Sequence, residues 1–150
     1  MIEAIYLAPR KREPLQPCDF ANVIAFQGLA GDRYCRKSVS SKHNVSFMAV
    51  EQVEQFNRRH DAAITWSAAR RNVMTRGIHL NALVGVDFRI GNVWFRGEEL
   101  CQPCSLMARW YRDSGLNQRA LLKQMMDRSG IRATALNDGI IETGIPIVVD

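Results

Sequence analysis

The stretch Leu83–Gly97, LVGVDFRIGNVWFRG, carries the clearest local pattern in the chain, and its reading decides the fold. A two-residue turn at Gly91-Asn92 sets Ile90 opposite Val93 and Phe88 opposite Phe95 on one face, with Arg89 opposite Trp94 on the other. The segment is therefore expected to be an antiparallel hairpin with an apolar inner face. Its second strand leads into GEELCQPCSLMARW (Gly97–Trp110), where Leu106, Met107, Trp110 and Tyr111 take up helical spacing. Cys101 and Cys104 lie at that junction, so at least one thiol is expected at or near a helix N-terminus. There, unpaired backbone N–H groups and the helix dipole favour a thiolate, lowering a free cysteine's pKa of about 8.5 by up to several units. Such a thiolate can attack sulfur, carry a persulfide or coordinate a soft metal.

Working outward toward the N-terminus, Ile2, Ile5 and Leu7 suggest a first strand that ends by Pro9, followed by the solvated loop Arg10–Glu13. Gly28 and Gly31 precede an Asp-Arg pair, Asp32-Arg33, in GLAGDRYCR. That spacing reads as a bent loop able to present backbone N–H groups and a guanidinium to an anion, or else as a plain turn with a surface charge pair. After the polar stretch Lys37–Lys42, Val45, Phe47 and Ala49 alternate as a strand, and Val50, Val53 and Phe56 fall at helical spacing to about Arg59. Ser67 is expected to cap a short helical turn over 68–73. Arg70, Arg71, Asn72 and Arg76 are close enough to form a multidentate site for phosphate or a heterocycle, and a surface charge run is the other reading.

Toward the C-terminus, Leu116, Ala120, Leu121, Met125 and Met126 form a second amphipathic helix closed by Gly130. The end of the chain, IRATALNDGIIETGIPIVV, reads as two or three strands broken at Asp138-Gly139 and near Gly144. Many short strands and few helices make the fold class mainly β with helices (α+β). The expected architecture is a closed or nearly closed mixed β-barrel with a few peripheral helices.

The 150 residues fit a single domain, and 47% hydrophobic with 23% charged residues excludes intrinsic disorder. No apolar run reaches the ~20 residues of a membrane helix, and the N-terminal apolar stretch precedes its basic cluster, the reverse of a secretory signal. A cytoplasmic protein with no membrane partner is the expectation. The net charge of +5 favours anionic partners, either nucleic acid or a phosphorylated small molecule.

Four cysteines, Cys18, Cys35, Cys101 and Cys104, then read as thiols or ligands rather than staples. Structural zinc is disfavoured because His43, His60 and His79 show no ligand spacing; His43 reads as a surface or hydrogen-bonded residue and His60 as a helix C-terminal one. A thioredoxin-type CxxC would follow the first strand of a βαβ unit, whereas this pair follows a hairpin. Two other function classes stay open. One is a basic nucleic-acid binder using Arg58, Arg59, Arg70, Arg71 and Arg76, although its aromatics sit in apolar patterns rather than among the basic residues. The other is a thiol redox module using both cysteines.

Taken in order, GLAGDRY (Gly28–Tyr34), RRNVMTRGI (Arg70–Ile78), the hairpin ending in CQPC and DGIIETGIPI (Asp138–Ile147) resemble the MOSC domain, named for the C-terminal domain of molybdenum cofactor sulfurase. The resemblance spans nearly the whole chain and points to a stand-alone, bacterial-type member. It implies a predominantly β barrel in which a cysteine in a Pro-Cys setting, here Cys104 after Pro103, carries sulfur or ligates molybdenum. It also implies that Gly31, Asp32 and Arg33, together with Arg71 and Asn72, contact a molybdopterin-type cofactor, a pterin bearing a phosphate. The implied function is cofactor binding or sulfur carriage, with reduction of N-hydroxylated compounds as the enzymatic form and a sulfur-donor or electron-donor protein as partner. The aminotransferase-like domain of the sulfurases is absent, so pyridoxal phosphate binding is not expected. Two departures stand out: Tyr34 occupies a position where many relatives have His, and Cys101 is an additional thiol, expected to pack rather than to resolve a persulfide.

Overall fold

A computed structural model describes residues 1–35 and 44–150, and His43 and the Lys37–Lys42 stretch lie outside the described residues. The strands are β1 (Ile2–Leu7), β2 (Gln16–Cys18), β3 (Phe20–Ile24), β4 (Gly28–Leu29), β5 (Val45–Ala49), β6 (Val73–Thr75), β7 (Asp87–Ile90), β8 (Val93–Leu100), β9 (Ile131–Ala135), β10 (Gly139–Glu142) and β11 (Ile147–Val148). Among the described residues three α-helices accompany them: α1 (Val50–His60), α2 (Ser105–Trp110) and α3 (Gln118–Met125). Eight strands form one curled sheet in the order β11-β7-β8-β9-β5-β6-β1-β2, and β10-β3-β4 form a second. The β5–β6 pair is parallel, and the intervening α1 makes the long crossover such a pair requires.

The β7–β8 hairpin has the expected register, Ile90 against Val93 and Phe88 against Phe95. The inward faces of its strands and of β5 bring Phe47, Phe88 and Phe95 together, with Phe47 edge-on to both others at centroid distances of 5.5 and 5.4 Å. Strand alternation then divides the apolar residues between two clusters. Phe47 and Val73 point into the curl of the sheet, whereas their neighbours Met48 and Met74 point outward. The outward set is covered by Val50, Val53 and Phe56 of α1, Met107 and Tyr111 at α2, and Leu121 and Met125 of α3.

Three expectations are corrected. The large sheet is mainly β but an open half-barrel rather than a closed barrel. Its edge strands β2 and β11 do not pair, and the chain ahead of β11 only touches β1 through hydrogen bonds from Ile2 N–H to Ile145 O (2.9 Å) and from Gly144 N–H to Ile2 O (2.8 Å). The 68–73 segment is not a helical turn capped by Ser67. A 3-10 turn spans Trp66–Ala69, ends at Arg70 in left-handed conformation (φ 63°), and releases Asn72 and Val73 into the sheet, where Val73 is buried. Finally, α3 stops at Met125. The chain then turns so that Gly130 (φ 87°) lies against the carbonyl of Phe47, a place with no room for a side chain.

Candidate functional site

Cysteine placement follows from the end of β8. A register shift between Gly97 and Glu99, where β8 pairs with β9, adds a bulge that re-aims the strand just before the CQPC segment. Cys101 N–H then donates to Gly130 O (2.8 Å), pinning Cys101 inward, while Pro103 turns the chain outward so that Cys104 immediately precedes α2. Cys104 O accepts from Ala108 N–H (3.1 Å), closing the first turn of that helix. The two thiols therefore have different surroundings: Cys101 is 1% exposed, Cys104 is solvent-exposed, and neither is in a disulfide. Burial pushes the Cys101 thiol above its usual range, against the opposing pull of the Arg71 and Arg132 charges.

Across from Cys104 stands a framework centred on Asn72, which is 6% exposed. Its Oδ1 accepts from Ser46 N–H (3.1 Å) and Ser46 Oγ (3.0 Å), and its Nδ2 donates to Tyr6 O (3.2 Å) and Asp32 Oδ1 (3.1 Å). Asp32, also buried, accepts from Ala8 N–H at Oδ1 (2.8 Å) and from Tyr34 N–H at Oδ2 (3.1 Å). The Gly28–Tyr34 loop is thus fastened to β1 and β6, with Gly31 (φ 88°) making a turn that only glycine adopts readily. The product of this framework is the position of Arg33. Its guanidinium lies 4.7 Å from the Tyr34 ring centroid, and its Nη2 donates to the Tyr34 hydroxyl (3.0 Å). Tyr34 is therefore a platform for the arginine.

Arg33, Arg71, Asn72 and Cys104 line one cleft of about 360 Å³, within the usual size of small-molecule sites. Arg70 also lines it, stacked 5.0 Å from the Trp110 ring centroid and donating from Nη1 to Glu13 O. Burial, and then the neighbouring Arg33 charge, push the Arg70 guanidinium below its ordinary value. Arg71, 8% exposed, is held by Ser129 O (2.9 Å at Nε). On the far wall Arg132 pairs with Glu99 at 3.2 Å. Several buried polar atoms of the lining have no partner among the described residues: Arg33 Nη1, Arg70 Nε and Nη2, and both Oδ1 and Nδ2 of Asn44, a residue only 3% exposed. Buried groups of this kind are ordinarily completed by ordered water, an ion or a ligand.

Gly31 and Asp32 do not line the cleft; they shape the loop behind it. Asn72 lines it, with its amide engaged by the protein on all four hydrogen-bonding positions. Sequence reasoning passed over Asn44, whose amide has no partner among the described residues. It also left Glu99 and Arg132 unremarked, though they face each other in the β8–β9 register. Arg70 was visible as part of the arginine run, and its adjacency to the Arg71-Asn72 pair was the available signal. Among the described residues no three His, Cys, Asp or Glu side chains cluster as a metal-holding group, and no helix is long and apolar enough to cross a membrane.

A curled mainly β sheet whose CxPC segment opens an arginine-lined cleft defines the class, and the family comparison agrees. The MOSC domain model matches residues 35–148, so the chain belongs to the MOSC domain family. Arg71, Asn72 and Cys104 fall within the match, and the Gly28–Tyr34 loop lies just before it. No curated protein matches. Among solved structures, the chain is similar to the YuaD protein from Bacillus subtilis, with a TM-score of 0.83 at 17% identity over 97% of this chain and 92% of that one. YiiM from Geobacillus stearothermophilus gives 0.73 at 18% identity, covering 100% and 75%. YiiM from Escherichia coli gives 0.71 at 15%, covering 99% and 69%.

Proposed function

We propose that the cleft holds a molybdopterin-type cofactor, with Cys104 as the molybdenum ligand or as the thiolate that carries sulfur. The observation that supports this most directly is the convergence of unpartnered Arg33, Arg70 and Asn44 atoms on the cleft that an exposed Cys104 borders. The donor set fits the group. A soft thiolate suits molybdenum or sulfane sulfur, planar guanidinium groups suit a phosphate, and the Asn44 amide offers a donor and an acceptor to a pterin edge. Asn72, whose amide is spent on Ser46, Tyr6 and Asp32, acts here by positioning Arg33, and Asp32 and Gly31 act with it. When bound, the cofactor supplies redox or sulfur-transfer chemistry, and a member of this kind would serve as a carrier or as a reductase of N-hydroxylated compounds. Its partner would be a sulfur-donor or electron-donor protein.

The thiol-pair alternative gains little support: Cys101 is buried and its thiol is pushed away from ionisation, a poor resolving partner for Cys104. The test is native mass spectrometry and metal analysis of protein made in a host that synthesises the cofactor. Wild type should carry the pterin, Arg70→Met should lose it, and Cys104→Ala should lose molybdenum or the persulfide. Protein free of pterin and metal, with Cys104→Ala equal to wild type in loading and sulfur transfer, would sink the proposal.

A further inference from the structure

A second cavity of about 670 Å³ lies at the C-terminal end of α2, bounded by Ile64 and Ala68, the Trp110 indole, and Arg12, Arg109 and Arg112. Arg12 and Arg109 also line a trough of about 460 Å³ that includes Cys104 and Arg33, so the two sites meet along one basic groove. None of the three guanidinium groups has an ion-pair or hydrogen-bond partner among the described residues. Asp113 is the one carboxylate among the described residues that line the cavity, which leaves two positive charges in excess among them. Arg12 is moreover in left-handed conformation, at φ 67°.

We infer that this cavity is a second ligand site, selective for a phosphorylated aromatic or heteroaromatic small molecule. The charge excess matches a dianionic phosphomonoester, which accepts hydrogen bonds from guanidinium forks in bidentate fashion. Ile64, Ala68 and the indole offer an apolar wall that inorganic phosphate alone leaves uncovered, whereas a planar ring would bury it. A single aromatic side chain in the lining favours one compact molecule over a nucleic-acid strand, which stacks successive bases on several rings. The site makes no use of Arg71 or Asn44, although its Trp110 wall also carries the Arg70 guanidinium of the cleft.

The test is calorimetric titration of the purified chain with phenyl phosphate, with phenol and inorganic phosphate as the two half-ligands, alongside quenching of tryptophan fluorescence. Phenyl phosphate should bind at least about tenfold more tightly than either half. Arg112→Ala, which touches this cavity and not the Cys104 cleft, should weaken it about tenfold or more. Trp110→Phe should remove most of the quenching, separating Trp110 from Trp66 and Trp94, and Arg71→Met and Cys104→Ser should leave the affinity unchanged. Absence of binding, equal binding of inorganic phosphate, loss on Arg71→Met, insensitivity to Arg112→Ala, or tighter binding of oligo-dT with increasing length would each overturn the inference.

Discussion

Replacing Asn72 by Ala should destabilise the protein far more than its position beside a ligand cleft suggests. The change removes four hydrogen bonds, from Ser46 N–H and Oγ to Oδ1 and from Nδ2 to Tyr6 O and Asp32 Oδ1. Net values near 1 kcal/mol each set the loss at roughly 4 kcal/mol. The Ser46 hydroxyl can rotate to another acceptor, and Asp32 Oδ1 keeps its bond from Ala8 N–H, which brings the expected value to about 3 kcal/mol. For a chain of 150 residues this corresponds to a fall in Tm of about 6–12 °C. Urea unfolding with an unchanged m-value is the assay. Asn72→Asp sharpens the test, because it sets a second carboxyl beside Asp32 in a buried site, where the folded state favours the protonated form of the pair. Such a group has a folded pKa above its unfolded one, so the variant is closest to wild type at about pH 4 and falls behind as pH rises toward about 7. A loss under about 1 kcal/mol for the alanine variant, or a gap between Asn72→Asp and wild type that is flat with pH, would refute the assignment of this amide to the scaffold.

Other outcomes follow from the same geometry. Cys104 should alkylate with iodoacetamide in the native state while Cys101 remains protected until the protein is unfolded, and Cys104→Ala should change stability by less than about 0.5 kcal/mol because the side chain is exposed. Burial raises the Cys101 thiol, so its contribution to stability is fully present below about pH 8.5 and declines as pH climbs toward the folded value; Cys101→Ala should flatten that alkaline limb in pH-dependent melting curves. Gly130→Ala drives a Cβ into the Phe47 carbonyl at positive φ and should abolish soluble expression, whereas Gly77→Ala, with open space around it, should cost only about 1 kcal/mol in chemical denaturation. Tyr34→Ala removes both the ring under Arg33 and its hydroxyl partner and should weaken anion binding at the cleft, with Tyr34→Phe retaining most of the affinity in the same titration.

What could be read from the chain alone divides along the distance over which each feature is determined. The β7–β8 hairpin was legible because turn residues and alternation are both local, and the helix over Val50–His60 because its apolar spacing is. The 68–73 segment misled because its composition is compatible with a turn of helix, whereas its conformation is set by pairing with β1 and β5, contributed by residues more than twenty positions away. Barrel closure was misread for a related reason: the strand pattern at 147–148 is real, but whether that edge meets β2 depends on the curl of the whole sheet. The site shows the same division. The CxPC spacing marked a chemically special pair, yet nothing local says which sulfur faces water. That choice is made by Gly130 O, which takes the Cys101 N–H, and by a bulge in β8 opposite β9. Likewise Asn72 and Asn44 are equivalent as letters. One is consumed because Ser46, Tyr6 and Asp32 reach it from three separate segments, and the other keeps its donor and acceptor free because no described residue does. A motif thus nominates polar residues for a site, and tertiary hydrogen bonding decides which of them hold the scaffold and which remain for a ligand.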